Sequence, residues 1–322
     1  MAAGDLHLIG VNYGKLWHTI RLDQQGGPWH AFVDVKAEAG NVGDFVDVDC
    51  AREAGAQGIL HVVGVTGNGL LWYTVREAGG DHPWRPFPDE PLNPEGPGPF
   101  LQAAVTTARQ ANRVEVVVAG VTAAGRLWVA TRKSATAFNP FTQVAAPAGG
   151  NPAFRAAAVA AVAGQEVQTH LAAVSGDGHI WHTVGRPGQW PSLQDVEAKP
   201  AAAGDEPGDL TDVDCSDNLD LAAVSGNGHV WYARRKPDTS WEDFLDPEAD
   251  LHDPKADRHV GDFLRIGVAR LQSGLHLCGV TADGRLWHTL GTGPRAVFRD
   301  VKAVIDPPQA VGVGSFQAVA CA

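Results

Sequence analysis

The 322-residue chain lacks both clusters of basic side chains and long apolar runs. Lys and Arg number 25 against 37 Asp and Glu, which gives a net charge of −12. Nucleic-acid backbones and anionic membrane surfaces are bound through clustered cations, so neither is an expected partner. No segment approaches the roughly 20 apolar residues of a membrane span. Residues 1–10 also lack the basic and then apolar layout of a secretory signal, so we expect a soluble chain and leave its compartment open.

Cysteine is scarce, and the metal-binding spacings CxxC and HxxxH are absent. The four cysteines are Cys50, Cys215, Cys278 and Cys321. Three of them, in "DVDCA", "DVDCS" and "AVACA", occupy equivalent places in the repeat described next. A disulfide needs Cα atoms within about 7 Å, and repeat units hold equivalent positions apart. We therefore expect free, buried thiols, and we expect no cofactor.

A sixfold repeat dominates the chain. A turn rich in Gly, Asn and Asp is followed by Trp, as in "VTGNGLLWYT" (65–74) and "VSGDGHIWHT" (174–183). The marker residues are Trp17, Trp72, Trp128, Trp181, Trp231 and Trp287. Between the turns, apolar residues alternate or run continuously over five to eight positions, which is typical of strands. Units of about 50 residues built from strands are typical of propeller blades.

Each unit contains four candidate strands. In the second unit they are "FVDVDCA" (45–51), "ILHVVGV" (59–65), "LLWYTVR" (70–76) and "WRPFPDE" (84–90). The first unit starts at a second strand, "LHLIGV" (6–11), whereas residues 315–322 form a first strand with no blade of its own. We therefore predict an all-β fold over residues 1–322: a single six-bladed β-propeller domain with four antiparallel strands per blade. The C-terminal strand would complete the N-terminal blade as a velcro closure. A linear β-solenoid is the alternative.

Two aromatic series recur in the units. The residue after the marker Trp is His18, Tyr73, Val129, His182, Tyr232 or His288, so five of six units carry a ring that can hydrogen-bond. A second series opens the fourth strand: Trp29, Trp84, Phe138, Trp190 and Trp241, with Arg295 in this place in blade six. A Trp present in every unit fits packing between blades. The rings that follow it fit either ligand contact or a structural role.

Polar residues also recur. Asp34, Asp89, Asp195, Asp246 and Asp300 lie near the end of the fourth strand, where an Asp is expected to cap backbone N–H groups of the next loop. Arg21, Arg76, Arg132 and Arg235 lie on the third strand, and Gly185 and Gly291 replace them in two blades. The second strand carries His7, His61, His170 and His276. With one histidine per blade they would not converge on a zinc ion, which needs three or four ligands.

Carboxylates on the first strands form a separate group. Asp47 and Asp49 match Asp212 and Asp214, in blades that a sixfold ring places opposite each other. We expect solvated carboxylates along an axial channel. The alternative is a hydrated divalent cation held among these four side chains, because such cations prefer oxygen ligands.

The unit "SGDGHIWHT" followed by "QWPSLQDV" resembles that of bacterial β-propeller lectins of the PLL-like and tectonin-like families, and the resemblance extends over every repeat. It implies a non-catalytic, multivalent carbohydrate-binding protein with shallow sites between blades and with glycans or glycoconjugates as partners. The residues carried over are Trp17, His18, Trp72, Tyr73, Trp181, His182, Trp231 and Tyr232, followed by Trp29, Trp84, Trp190 and Trp241. Blade three departs at Val117, Val129, Phe138 and Gln143, and blade six at Arg295, so fewer than six working sites are expected.

Two other functions compete with this one. A protein-interaction scaffold without sugar binding would use the loops 89–99 and 246–262, since these loops vary in length between blades. A hydrolase or lyase would act in the channel through a cation on the four Asp residues. The sequence shows no nucleophile paired with a base, so we do not expect an enzyme.

Overall fold

Six antiparallel sheets make up the computed structural model of the protein. It describes residues 4–22, 27–56, 58–79, 83–93, 96–110, 113–133, 137–145, 150, 152–162, 168–186, 189–196, 207–237, 239–247, 260–291, 297–305 and 313–322. Each sheet is one blade, and the first strands of successive blades contact one another in a closed ring. The predicted six-bladed β-propeller is therefore confirmed, and the linear solenoid is excluded.

The strands follow the repeat. Blade 1 contains β1 (Leu6–Asn12), β2 (Lys15–Arg21) and β3 (Val33–Asp34), and blade 2 contains β4 (Phe45–Arg52), β5 (Leu60–Thr66) and β6 (Leu71–Arg76). Blade 3 contains β7 (Phe100–Gln110), β8 (Arg113–Thr122), β9 (Leu127–Thr131) and β10 (Thr142–Gln143). Blade 4 contains β11 (Phe154–Val162), β12 (Gln168–Ser175), β13 (Ile180–Gly185) and β14 (Gln194–Asp195). Blade 5 contains β15 (Leu210–Cys215), β16 (Asp220–Ser225) and β17 (Val230–Arg234). Blade 6 contains β18 (Phe263–Leu271), β19 (Gly274–Thr281), β20 (Leu286–Leu290) and β21 (Arg299–Asp300). The last strand is β22 (Ala318–Cys321), and two short helices, α1 (Val35–Ala39) and α2 (Val301–Val304), follow β3 and β21.

The C-terminal strand closes the ring as predicted. Strand β22 pairs antiparallel with β1, with Val319 opposite Gly10, and so becomes the innermost strand of blade 1. On its other side β22 contacts β18 and β4, the first strands of the two neighbouring blades. The two ends of the chain therefore share one sheet.

The prediction of four strands in every blade is wrong for two blades. Within the described residues, blades 2 and 5 have three strands, and the fourth strand of the other blades has only two residues. In blade 2 the predicted strand 84–90 makes a single bridge, between Trp84 and Arg76. Pro86 and Pro88 interrupt this segment, and proline has no N–H to donate to a sheet. In blade 5 two isolated bridges take the place of a fourth strand, between Leu245 and Tyr232 and between Trp241 and Arg235.

The hydrophobic core lies between the blades, whereas a contact between a Phe and a Gly packs the strands within a sheet. In blade 2, Phe45 begins the first strand, and its ring lies against Gly64 on the second strand. A Cβ atom at Gly64 would lie 2.7 Å from that ring, so only glycine fits. The same pairing occurs in three other blades, between Phe316 and Gly10, Phe100 and Gly120, and Phe263 and Gly279.

The repeated turn and its Trp form one hydrogen-bonded unit in blades 4 to 6. Gly178, in the turn of blade 4, has a φ of +89°, which glycine adopts readily. The Ser175 hydroxyl donates to Asp177 and accepts from the Trp181 indole nitrogen at 3.0 Å. Trp231 donates in the same way to Ser225, and Trp287 to Thr281, both at 3.1 Å. In these three blades the marker Trp is therefore part of the scaffold that holds the turn.

The capping role predicted for the recurring Asp is confirmed at two positions. Asp34 accepts a hydrogen bond from the backbone nitrogen of Lys36 and caps α1. Asp300 accepts from the backbone nitrogens of Lys302 and Ala303 and caps α2.

All four cysteines are free, as predicted. Cys278 on β19 and Cys321 on β22 lie in one buried hydrophobic cluster. Burial raises the pKa of the Cys321 thiol well above its ordinary value, so the thiol stays protonated. In the part of the chain that the structure describes, no helix is both long enough and apolar enough to cross a membrane.

Candidate functional site

The ring after the marker Trp lies in a buried stack that joins two blades. In blade 1 the His18 ring stacks on His7, with Nε2 of His18 3.0 Å from Nδ1 of His7. The same His18 ring meets Trp84 of blade 2 edge-on, with centroids 5.2 Å apart. Burial lowers the pKa of His7 to about 3 and that of His18 well below its ordinary value, so both rings are neutral.

Three other seams have the same arrangement. His182 lies 3.1 Å from His170 and edge-on to Trp241, whereas His288 lies 2.9 Å from His276 and edge-on to Trp29. Tyr73 lies 2.6 Å from His61 and edge-on to Phe138. The second-strand histidine, the third-strand ring and the next blade's fourth-strand aromatic therefore form one group. The sequence places these three series in different strands, and only the ring of blades brings them together.

The predicted sugar-binding aromatics divide into two groups by exposure. Those that are buried are Trp17, His18, Trp72, Tyr73, Trp84, His182, Trp231 and Tyr232. Those that are half-buried are Trp29, Trp181, Trp190 and Trp241. The buried rings expose little surface on which a pyranose could stack. Direct sugar contact by any of these twelve residues stays a prediction. Arg295 lies outside the described residues, as do most of the loop 246–262 and residues 94–95 of the loop 89–99.

The recurring arginine faces the ring pair of the preceding blade. Arg132 of blade 3 donates from its guanidinium to the Tyr73 hydroxyl of blade 2 at 3.0 Å. In the same way the charge of Arg76 helps to lower the pKa of His7, and that of Arg235 helps to lower the pKa of His170.

Blades 4 and 6 lack this arginine. In the blade that precedes each of them, the facing residues of the second and third strands are not a histidine and its ring partner. Blade 3 has Val117 and Val129 in these places, which need no polar partner, and blade 4 has Gly185 in place of the arginine. Blade 5 pairs Asp220 with Tyr232, at 2.6 Å, and Arg270 on β18 of blade 6 binds Asp220 instead.

The channel carboxylates bind backbone N–H groups of the neighbouring blade. Asp47 accepts from Ala103 at 2.9 Å, and Asp212 accepts from Ile266 at 2.9 Å. Two residues further along these strands, Asp49 accepts from the backbone nitrogen of Val105 and Asp214 from that of Val268, both at 2.6 Å. These four side chains therefore join the first strands of adjacent blades. This corrects the expectation of solvated carboxylates for Asp47 and Asp212, which are buried, whereas Asp49 and Asp214 are half-buried.

Burial changes the acidity of this group. It raises the pKa of Asp47 and of Asp214 to about 7. Burial and the nearby Asp214 charge raise the pKa of Asp49 well above its ordinary value.

The cation alternative gains no support from this geometry. Among the described residues, no three His, Cys, Asp or Glu side chains are arranged to hold a metal ion. The carboxylates of Asp47, Asp49, Asp212 and Asp214 are instead engaged by backbone amides. The cavities along the axis measure about 50 and 20 Å³, which is room for water but not for a sugar ring.

A larger cavity, of about 320 Å³, lies between blades 2 and 3. Its apolar lining consists of Ile59, Val75 and Val114, and its polar lining consists of Glu53, His61, Glu77, Arg85, Arg113, Arg132 and Lys133. We call it the seam cavity.

A chain of hydrogen bonds runs beside the seam cavity. Glu53 lies 3.2 Å from Nε2 of His61, Nδ1 of His61 lies 2.6 Å from the Tyr73 hydroxyl, and that hydroxyl accepts from Arg132. Burial lowers the pKa of His61 to about 3 and raises the pKa of Tyr73 to about 12, so both side chains are neutral. A neutral imidazole has one donor and one acceptor. His61 therefore donates to Glu53 and accepts from Tyr73, and every bond of the chain is satisfied.

Sequence reasoning missed the seam cavity. Tyr73 was among the predicted site residues, and His61 and Arg132 were recognised as members of repeated series. Other charged residues of the lining, such as Glu53 and Arg113, belong to no repeated series. The signal that could have found them is the departure of blades 2 and 3 from the repeat, where a Glu follows the first strand and an Arg starts the second.

Comparisons with known proteins find likeness in structure only. The chain matches no protein-family model and no curated protein sequence. Among solved structures, it is similar to AofleA from Arthrobotrys oligospora, with a TM-score of 0.58 and 10% identity over 93% of this chain and 86% of that one. It is similar to the fucose-specific lectin from Aleuria aurantia, with a TM-score of 0.56 and 11% identity over 92% of this chain and 91% of that one. It is also similar to the SapL1 lectin in complex with alpha methyl fucoside, with a TM-score of 0.55 and 10% identity over 92% and 95%. At these identities the likeness shows that the chain shares their β-propeller fold.

Proposed function

We propose that the protein is a non-catalytic carbohydrate-binding propeller whose sites lie between neighbouring blades, with glycans or glycoconjugates as partners. The seam cavity is the observation that carries this proposal. Its volume of about 320 Å³ lies within the range of small-molecule sites, roughly 300 to 1,000 Å³. Two of the solved propellers with similar structure are a fucose-specific lectin and a lectin in complex with a fucoside, which supports the same class of ligand.

The lining suits a sugar. Ile59, Val75 and Val114 offer an apolar surface to the C–H groups of a pyranose. The surrounding guanidinium groups offer donors to its hydroxyls, and the Glu53–His61–Tyr73–Arg132 chain holds one of them, that of Arg132, in place. Polar groups fixed before binding lose little entropy when the ligand arrives.

Further sites at other seams would make the protein multivalent. The half-buried rings of Trp29, Trp181, Trp190 and Trp241 leave part of their surface accessible, and we propose them as the aromatic contacts of these sites. The buried members, Trp17, His18, Trp72, Trp84, His182, Trp231 and Tyr232, would hold the seams in shape. Several weak sites on one rigid ring gain avidity on a surface coated with glycans.

A glycan array followed by calorimetric titration with the best methyl glycosides tests the proposal, with α-methyl fucoside included. We expect binding that is lost in Arg132→Ala and retained in Arg285→Ala, which removes an exposed arginine from the turn of blade 6. Absence of binding to every sugar at millimolar concentration would overturn the proposal. Capture of a protein partner by a chain that binds no sugar would instead favour an interaction scaffold.

A further inference from the structure

We propose that the seam cavity selects an anionic saccharide, one that carries a carboxylate or a sulfate on the sugar ring. The inference rests on the proposed function and adds the class of sugar to it.

The charge of the seam cavity is opposite to that of the chain. The lining contains four cations, Arg85, Arg113, Arg132 and Lys133, and two carboxylates, Glu53 and Glu77, an excess of two positive charges (4 − 2 = +2). The whole chain has a net charge of −12. His61 adds no charge, because burial lowers its pKa to about 3. A local excess of cations on an acidic protein favours an anionic ligand at this place.

The two carboxylates of the lining are already engaged. Glu77 forms an ion pair with Arg85, and Glu53 accepts from His61. This leaves Arg113, Arg132 and Lys133 for a ligand. No side-chain ion pair of Arg113 or Lys133 is present within the described part of the chain, and both residues are exposed at the cavity.

Arg132 is oriented before any ligand binds. One of its terminal nitrogens donates to Tyr73, whose hydroxyl is itself fixed by its bond to His61. Its remaining N–H donors form the planar fork that binds carboxylate and sulfate oxygens in pairs. The hydrogen bond to the Tyr73 hydroxyl of the neighbouring blade restricts the Arg132 guanidinium. Arg132 is therefore a better anion receptor than a freely rotating surface arginine, because it loses less entropy on binding.

The shape distinguishes an anionic sugar from a simple anion. The cavity of about 320 Å³ is several times larger than a water-sized guest, and its lining includes the apolar side chains of Ile59, Val75 and Val114. A bare anion would leave these apolar side chains uncovered, whereas a pyranose ring could contact them while its charged group reaches the cations.

Paired ligands that share a sugar ring and differ in the charge of one substituent test the inference. Methyl β-D-glucuronide and methyl β-D-glucoside form one pair, and galactose 6-sulfate and galactose form another. Calorimetric titration of the full chain should show tighter binding of the anionic member in at least one pair, by about tenfold, the effect of one charge-assisted hydrogen bond. Raising the salt concentration from about 50 to about 500 mM should reduce the preference, because salt screens charges near the surface.

Variants locate the effect. Arg132→Gln and Lys133→Ala should each remove most of the anionic preference, whereas Arg285→Ala should keep it. Lys133 is exposed, so its substitution leaves the fold intact and separates a loss of charge from unfolding. Equal binding of the charged and neutral partners in all pairs, with binding still lost in Arg132→Gln, would overturn the inference and leave the proposed function standing. Binding of inorganic sulfate as tight as that of the anionic sugars would overturn the saccharide part. Failure of every sugar would overturn both proposals.

Discussion

The Asp49 carboxylate of blade 2 lies 2.6 Å from the backbone nitrogen of Val105 in blade 3 and accepts its hydrogen bond. Val105 belongs to the inner edge strand of its blade, whose N–H groups have no strand to pair with on that side. In blade 5, Asp214 binds Val268 of blade 6 in the same way. The side chains of one blade therefore satisfy the open sheet edge of the next.

Asp49→Asn should make the protein more stable at alkaline pH. Burial and the Asp214 charge raise the pKa of Asp49 in the folded chain, so the folded state holds this proton more tightly than the unfolded state. The contribution of such a group is fully present below the unfolded pKa of about 3.9 and is lost as the pH rises through the folded value. The asparagine keeps an oxygen acceptor for Val105 and removes the charge. Urea unfolding should show a gain on the order of 1 kcal/mol or more at pH 8 and little difference at pH 4.

Asp283→Asn is the matched control for this measurement. Asp283 is an exposed turn residue, and its hydrogen bond with Thr281 lowers its pKa. Its contribution is present above the unfolded pKa and is lost in acid, so this variant should show no gain at pH 8. An Asp49→Asn variant that is no more stable than the wild type at pH 8 would show that the carboxylate is not strained by burial.

His182→Tyr should reduce the sensitivity of the protein to acid. Burial lowers the pKa of His182 to about 3, compared with about 6.5 in an unfolded chain. The stability that depends on this neutral ring is therefore present above about pH 6.5 and is lost as the pH falls toward 3. Tyrosine, which blade 2 uses at the equivalent place beside His61, keeps a ring and a hydroxyl but does not titrate here.

The measurement is the free energy of unfolding at pH 7 and pH 4.5. We expect the difference between the two values to be smaller in His182→Tyr than in the wild type, by on the order of 1 to 3 kcal/mol. His30→Tyr, which replaces an exposed histidine, should leave the difference unchanged. An equal acid dependence in wild type and His182→Tyr would refute the assignment of a neutral buried ring.

Arg270→Met should destabilise the seam between blades 5 and 6. Asp220 is fully buried, and the Arg270 guanidinium binds it through two nitrogens, one of them 2.7 Å from the carboxylate. Removing this cation leaves Arg234, 3.8 Å away, as the remaining ion-pair partner of the buried carboxylate. The loss should therefore be about 3 kcal/mol, at the lower end of the cost of breaking a buried pair. Chemical unfolding measures the loss.

Two comparisons make this test specific. Arg285→Met removes an exposed arginine that pairs with Asp283, and it should cost less than about 1 kcal/mol. Adding Asp220→Asn to Arg270→Met should recover part of the loss, because the buried charge is then gone. A loss in Arg270→Met no larger than that in Arg285→Met would contradict the burial argument.

Phe316→Ala should weaken the closure of the ring. The Phe316 side chain is buried, packs against Gly10 and meets the Phe32 ring with centroids 5.6 Å apart. Truncation of a buried Phe costs about 3 to 5 kcal/mol, since it removes apolar contact and leaves a cavity. Thermal unfolding should show a clear fall in the midpoint, whereas Leu264→Ala, at an exposed position of β18, should show little.

Deletion of residues 315–322 tests the closure directly. The deleted chain should be less stable than Phe316→Ala, and a synthetic peptide of residues 315–322 should restore stability when it is added. A deletion that leaves the unfolding midpoint unchanged would show that β22 does not hold the ring closed.

The sequence by itself determined the fold, because the signals for a propeller are local and repeated. The turn before Trp181 needs a positive φ, which Gly178 supplies, and the strands on either side show their alternation within a few residues. The six copies of this unit give the number of blades, and the unmatched strand at residues 315–322 indicates how the ring closes. Each of these signals can be read without knowing what lies across the seam.

Only the tertiary structure decided which side chains meet across a seam. His182 meets Trp241, and Asp49 meets Val105, each from the neighbouring blade and more than fifty residues away along the chain. The seam cavity likewise depends on Glu53 and Arg113, which belong to no repeated series. A repeat describes what its units have in common, whereas a site between two blades depends on where those two units differ and on how the closed ring brings them together.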